Sequence, residues 1–325
     1  MRRFMGTLPV SDTALQTLVE TLIQQEGLPP GYHRTVATTI LPLARYIQAL
    51  HERLGRPVVV GIHGAQGTGK STLTLFLKQL LDHHFHLRAA AFSLDDLYLT
   101  RAERQTLADT VHPLLLTRGV PGTHDVALGL RLMDALVSAK PGQTTSIPSF
   151  DKARDDRAPD DQWPVFEGPA QVILFEGWCV AARPEPDADL ARPVNALEAE
   201  EDADGAWRRY VNDCLKGPYR ELFGRLDTLV MLKAPSLACV REWRTLQEHK
   251  LAEKVGSAPE SGNDAAGAPP SRIMSDQAVA RFIMHYQRTT EHCLRDLPDR
   301  ADVLIEVAPD HSLSEPRFRP PPATE

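Results

Sequence analysis

The stretch Val58 to Leu73, VVVGIHGAQGTGKSTL, constrains this chain more than any other. A β-branched apolar run breaks into glycines, a lysine and two hydroxyls. Leu73, Leu77, Leu80 and Leu81 then follow at helical spacing. Gly64-Ala65-Gln66-Gly67-Thr68-Gly69-Lys70-Ser71, with Thr72 behind it, fits GxxxxGK[ST] between a strand and a helix. The glycines permit a tight turn whose backbone N–H groups point inward. Lys70 reaches the β and γ phosphates, and Ser71 offers a hydroxyl to Mg²⁺. The positive end of the helix adds to the anion site. The loop is built to hold a nucleoside triphosphate, ATP with Mg²⁺.

Around it the pattern alternates. Further strands are predicted at Leu87 to Ser93, Gln171 to Phe175, Thr228 to Leu232 and Asp302 to Val307. Helical spacing marks residues 11 to 54 with a break at Gly27 to Gly31, including a second helix from Leu43. It recurs from Asp125 to Ala139, from near Ser236 and from Ser275. Strands alternating with helices predict an α/β fold with a mainly parallel sheet, the three-layer sandwich of P-loop NTPases. Residues 1–55 read as an N-terminal helical segment packed on the core, and 56–307 as the main domain. That domain carries a flexible insertion at about 252–272, where Gly256 to Pro270 is polar and rich in Pro and Gly. The proline-rich 308–325 reads as a disordered tail. The acidic stretch Asn195 to Gly205 reads as a surface excursion.

A net charge of −7 over 325 residues gives no global pull toward nucleic acid or membrane. An anionic ligand must therefore be held by local cations. Cys179, Cys214, Cys239 and Cys293 form no CxxC pair and read as reduced cysteines. No run approaches the ~18 apolar residues of a membrane span. The arginines of MRRFMGTLPVSD have no apolar segment behind them, so a secretory signal is not expected and a cytoplasmic protein is. His83-His84-Phe85-His86 has no partner carboxylates at its helix end and reads as solvated surface.

The fate of the nucleotide is narrowed by what else is written. A guanine-reading NKxD is absent, as is LSGGQ, and DADG (Asp202 to Gly205) does not follow a strand. Two strand ends instead carry carboxylates: Asp95 with Asp96 in FSLDDLYLT, and Glu176 in VILFEGW. Strand ends of a parallel sheet carry the ligand site. One acid there can hold Mg²⁺, and another can accept the proton of an attacking hydroxyl. The arrangement favours phosphoryl transfer to an alcohol.

Together VGIHGAQGTGKST, FSLDDLYLT and VILFEGW resemble the phosphoribulokinase, uridine kinase and pantothenate kinase group of P-loop kinases. Within that group the chain most resembles the D-glycerate 3-kinase family. PLARYI (from Pro42), RGVPGTHD (from Arg118), FDKARDDRA (from Phe150), REWRTLQE (from Arg241) and MSDQAV (from Met274) carry that likeness. It runs in order from about residue 40 to 307, with Leu97 standing where phenylalanine is expected. The resemblance implies a kinase-type lid and a small-molecule acceptor, D-glycerate, converted to 3-phosphoglycerate. It makes Asp95 the general base with Asp96 as fallback, and it sets Glu176 on Mg²⁺ beside Ser71. Asp151, Lys152, Arg154 and Arg157 become acceptor residues, with Arg118, His124 and Asp125 as further substrate contacts. Arg241 and Arg244 become lid arginines. Another alcohol acceptor (a nucleoside, pantothenate or a sugar acid) and a non-catalytic nucleotide sensor stand as alternatives.

Overall fold

Seven consecutive buried residues, Val58–Gly64, form β1 at the centre of the computed structural model, which describes residues 13–256 and 275–319. The other strands are β2 (Ala89–Ser93), β3 (Thr144–Ser146), β4 (Phe150–Asp151), β5 (Asp156–Arg157), β6 (Val165–Glu167), β7 (Val172–Gly177), β8 (Thr228–Lys233), β9 (Val303–Glu306) and β10 (Arg317–Phe318). The main sheet has the order β10-β9-β8-β1-β7-β2 and is parallel except for β10. β3 with β6, and β4 with β5, make two small antiparallel pairs.

The helices are α1 (Thr13–Gln25), α2 (Tyr32–Thr35), α3 (Leu41–Leu54), α4 (Lys70–His83), α5 (Arg101–Thr110), α6 (Val126–Ser138), α7 (Ala196–Glu201), α8 (Ala206–Lys216), α9 (Pro218–Phe223), α10 (Leu237–Gly256) and α11 (Asp276–Asp296). α3 starts two residues before the predicted Leu43 and ends where Gly55 takes a φ of 63°, its N–H donating to the His51 carbonyl.

Period-two burial explains the layers. Val58, Val60 and Ile62 share one apolar cluster with Val172, Leu174 and residues of α1, α3 and α4, among them Phe76 and Leu77. Val59, Ile173 and Phe175 point the other way, into a cluster with Leu132, Met133 and Leu222 of α6 and α9. The result is a helix–sheet–helix sandwich. The register sets Ser93 and Ile62 beside Glu176, so the ends of β1, β2 and β7 converge. β1 lies where the connections diverge to opposite sides of the sheet, the place where parallel sheets bind ligands.

The expectation for the tail differs from what the described residues show. The segment after Ala308 is ordered as far as Arg319. β10 pairs with β9, the Phe318 ring lies 5.1 Å from that of Tyr46, and the Ser314 carbonyl accepts from Thr39. Proline content misled here because the prolines flank β10, whose own Arg317 and Phe318 keep their N–H groups and pair with β9 at the sheet edge. The predicted insertion begins inside α10, which remains helical to Gly256; its residues 257–272 lie outside the described residues.

The acidic stretch is no surface excursion either. Glu198 and Asp202 are fully buried. Arg288 of α11 donates to both Glu198 oxygens at 2.8 and 2.7 Å and reaches Glu185 at 3.3 Å, while Arg208 pairs with Asp202 at 2.9 Å. Arg288→Met removes the charge partner of buried Glu198 and leaves Glu185 with Arg295 at 3.7 Å. It is expected to cost about 3–5 kcal/mol, read as a lower midpoint in urea unfolding. An unchanged midpoint would mean that water or a neighbour compensates the acids.

Candidate active site

The glycine loop is shaped as its sequence requires. Gly67 and Gly69 have φ of 82° and 83°, and Gly69 caps α4 so that Lys70 is its first residue. Thr68, buried, donates its hydroxyl to the Ala65 carbonyl at 2.8 Å and stiffens the turn. A Cβ on Gly67 would stand 2.6 Å from Cβ of Trp243 on α10, so glycine also permits close approach of that helix. The Trp243 indole N–H donates to the Pro309 carbonyl at 3.0 Å, and its ring lies 4.7 Å from that of His311. His311 Nδ1 in turn lies 3.0 Å from the Gly67 carbonyl. The supposed tail therefore braces the loop. Between these parts is a concavity of about 320 Å³, lined by Gly69, Thr72, Trp243, Gln247 and His311.

On the other side of Lys70 lies a second cavity of about 370 Å³. Gln66, Gly67, Lys70 and Ser71 enter from the loop, and Asp95, Asp96 and Glu176 from the strand ends. Arg118, Lys152 and Arg244 enter from outside the sheet. The Ser71 hydroxyl donates to Glu176 Oε1 at 2.9 Å, which joins the two predicted metal residues. Glu176 is buried, and its Oε2 has no partner among the described residues. A hydroxyl and an orphaned carboxylate oxygen are the hard donors that Mg²⁺ takes, so these residues fit that ion.

The paired aspartates have unequal surroundings. Asp95 Oδ1 accepts from the Tyr98 hydroxyl at 2.8 Å, and Oδ2 accepts from Lys152 Nζ at 2.7 Å. Burial pushes the Asp95 carboxyl up, but the Lys152 and Lys70 charges and these hydrogen bonds outweigh it and bring it to about 2. Asp96 instead closes a capping box, its Oδ2 accepting from the Ser93 N–H at 2.9 Å. Its carboxyl is pushed up to about 6, chiefly by burial, with Asp95 and Glu176 adding repulsion.

The remaining predicted residues divide. Arg118 lines the cavity, held from three sides: its side chain pairs with Asp155, its guanidinium lies 5.4 Å over the Phe150 ring, and its carbonyl accepts from Tyr286 at 3.0 Å. Gly119 lets that ring approach, since a Cβ there would meet the Tyr286 oxygen at 2.0 Å. Arg244 also lines the cavity, 5.5 Å over Phe282, whereas Arg241 is exposed and off its wall.

His124 and Asp125 do not line the cavity. His124 is buried against the Tyr219 hydroxyl and stacked on Tyr98 at 4.6 Å, and burial brings its imidazole down to about 3. It is a neutral prop behind Tyr98. Asp125 caps α6, accepting from Leu128 N–H at 2.8 Å. Asp151 shapes the β4–β5 turn by accepting from the Ala153 and Arg154 N–H groups, and the Arg154 side chain is exposed. Arg157 donates to the Tyr98 carbonyl at 2.9 Å. Of the predicted acceptor residues, then, the structure brings only Arg118 and Lys152 to the cavity. It adds Tyr286 and Gln247, which the sequence reading missed because long helices carry many such residues with no local motif. His311 was missed with the tail.

No protein-family model matches the chain. The uncharacterized kinase mug58 of Schizosaccharomyces pombe is 32% identical over 251 residues, 75% of this chain and 83% of that protein. The chain belongs to that kinase family. The chloroplastic D-glycerate 3-kinase of Arabidopsis thaliana is 34% identical over 219 residues, 64% of this chain; the chain spans only 45% of that enzyme's length. The solved D-glycerate 3-kinase of Cryptococcus neoformans var. grubii superposes with a TM-score of 0.68 at 24% identity. That match covers 86% of this chain and 99% of that one, and it speaks for the fold. This protein is thus a kinase, a phosphotransferase. Among its described residues no helix is long and apolar enough to cross a membrane.

Proposed function

We propose that this kinase transfers the γ-phosphoryl group of ATP to the primary hydroxyl of D-glycerate, giving 3-phosphoglycerate. One observation carries the reading: the cavity that joins the glycine loop to Asp95 and Glu176 also presents Arg118 and Lys152, in a protein of net charge −7. A small carboxylate needs such local cations, and Arg118 is already fixed in place by Asp155 and Tyr286. A neutral acceptor would leave both cations without a ligand charge.

In this reading Lys70 and the loop amides hold the β and γ phosphates. Ser71 and Glu176 would hold Mg²⁺, which would supply charge neutralisation at the phosphate oxygens. Arg118 orients the acceptor through its carboxylate. The acceptor oxygen bonds to the γ-phosphorus as the bond to the β,γ-bridging oxygen breaks. That electron pair leaves with ADP, and Asp95 takes the hydroxyl proton. Arg244, on α10 above the cavity, faces the transferring group, and closure excludes water. Asp96 is left to hold the turn that carries Asp95. A reducing, cytoplasmic setting belongs to the same proposal and is supported by four cysteines that form no disulfide.

The test is ADP release with Mg-ATP against D-glycerate, L-glycerate, uridine, pantothenate, ribulose 5-phosphate and no acceptor. Turnover confined to D-glycerate is the expected result. Turnover with uridine would place a ring against the aromatic wall of Tyr98, Trp178 and Tyr286 and overturn the substrate.

A further inference from the structure

The catalytic carboxylate is not open to an incoming hydroxyl in this state, because Lys152 holds it. The contact is made on the cavity wall by a largely solvated side chain. Asp95 is 30% exposed and Lys152 62% exposed along their side chains. Lys152 is the first residue of the turn between β4 and β5, and the rest of that hairpin is tied down. The Asp155 carbonyl accepts from the buried Arg104 at 2.6 Å, and the Arg101 N–H donates to Asp156 at 3.0 Å. Arg157 is bonded to the Tyr98 carbonyl. The anchored hairpin fixes where Lys152 starts, while its four-carbon arm can exchange one carboxylate for another without moving backbone.

We infer that Lys152 is an acceptor-sensing latch: it occupies the Asp95 carboxylate until a carboxylate-bearing acceptor takes its ammonium, which frees Asp95 for the acceptor's hydroxyl. The inference rests on the proposed assignment of Asp95 as base and on an anionic acceptor. The acceptor's own charge then turns the base on. Two consequences follow from the chemistry. Water, which carries no charge, cannot release the latch, so ATP is spared when the acceptor is absent. A neutral polyol such as glycerol is rejected even though it offers a hydroxyl of the right kind.

The electrostatics agree with this assignment. Asp95 faces Lys152 from the hairpin, Lys70 from α4 and the Tyr98 hydroxyl. Asp96, Glu176, Arg118, Arg244 and Tyr286 share the cavity wall with it, and the buried His124 and Cys179 lie close enough to feel its charge. With the ammonium in contact Asp95 sits near 2, a weak base. Transfer of that ammonium to the acceptor removes the first-named stabilising charge and raises the carboxylate's basicity as the hydroxyl arrives.

Lys152→Met keeps the arm and deletes the charge, and Lys152→Arg is the conservative control. Lys152→Arg should melt like the wild type, and Lys152→Met slightly lower but still cooperatively, because Asp95 loses the charge that offsets its burial. In Lys152→Met, ADP release with Mg-ATP and no acceptor should rise several-fold, because a water can now pass its proton to Asp95 as its oxygen bonds to the γ-phosphorus and ADP leaves. The preference for D-glycerate over glycerol in kcat/KM should shrink about 10- to 100-fold, the range of a lost charged hydrogen bond. The acid limb of the kcat/KM profile should move to higher pH. Lys152→Arg should restore the low background. A raised KM for D-glycerate with unchanged background hydrolysis and an unmoved acid limb would make Lys152 a plain substrate contact and overturn the latch. Wild-type turnover confined to pantothenate would sink the glycerate reading but not the latch, because pantothenate also carries a carboxylate.

Discussion

Lys70→Ala is expected to lower kcat by ~10² to 10³ or more, the effect of deleting one preorganised charge from a phosphoryl-transfer site. Lys70 is the first residue of α4 and lies on the walls of both concavities flanking the loop. No other loop residue carries a cation. Arg118 and Arg244 line only the cavity with the carboxylates, so neither replaces a charge seated between the two spaces. ATP affinity should fall as well, because the phosphates lose the same partner in the ground state. Steady-state kinetics with an isothermal titration of Mg-ATP measures both. Near-normal turnover would mean that the phosphates lie elsewhere.

Asp95→Asn separates chemistry from binding. The amide is nearly isosteric and its oxygen can still accept from Tyr98, so the turn built by Ser93 and Asp96 stays intact. Loss of a positioned base lowers kcat by ~10² to 10⁴, while Mg-ATP affinity stays close to the wild type. Acceptor-free hydrolysis should not rise, since releasing Lys152 is of no use without a base behind it. Retention of turnover would move the base to Asp96, whose carboxyl, pushed up to about 6 by burial, is the next candidate.

The loop, the strands around it and the two acidic strand ends were legible because each is a local signal. β1 is a β-branched run that feeds glycines, Glu176 is the penultimate residue of β7, and Asp95 lies two residues past the end of β2. Their meeting was legible too, since adjacent parallel strands bring their ends together. The acceptor side was only half legible. KARDDR and RGVPGTHD each offer several charges at one place in the sequence, and only tertiary packing decides which of them faces inward. Asp151 is used up by its own turn, Asp125 by a helix cap and His124 by Tyr98, which leaves Arg118 and Lys152. Asn195 to Gly205 misled because its buried acids depend on Arg208 and on Arg288, 90 residues beyond Glu198. His311 was hidden by the same distance, reaching back to Gly67 across 244 residues.

The most direct test of the central claim is the identity of the product. Wild-type protein incubated with Mg-ATP and D-glycerate should give, by ³¹P NMR, ADP and one new phosphomonoester signal that coincides with added 3-phosphoglycerate. Inorganic phosphate as the only new signal beside ADP, or a signal coinciding with 2-phosphoglycerate, would contradict the proposed transfer to the primary hydroxyl.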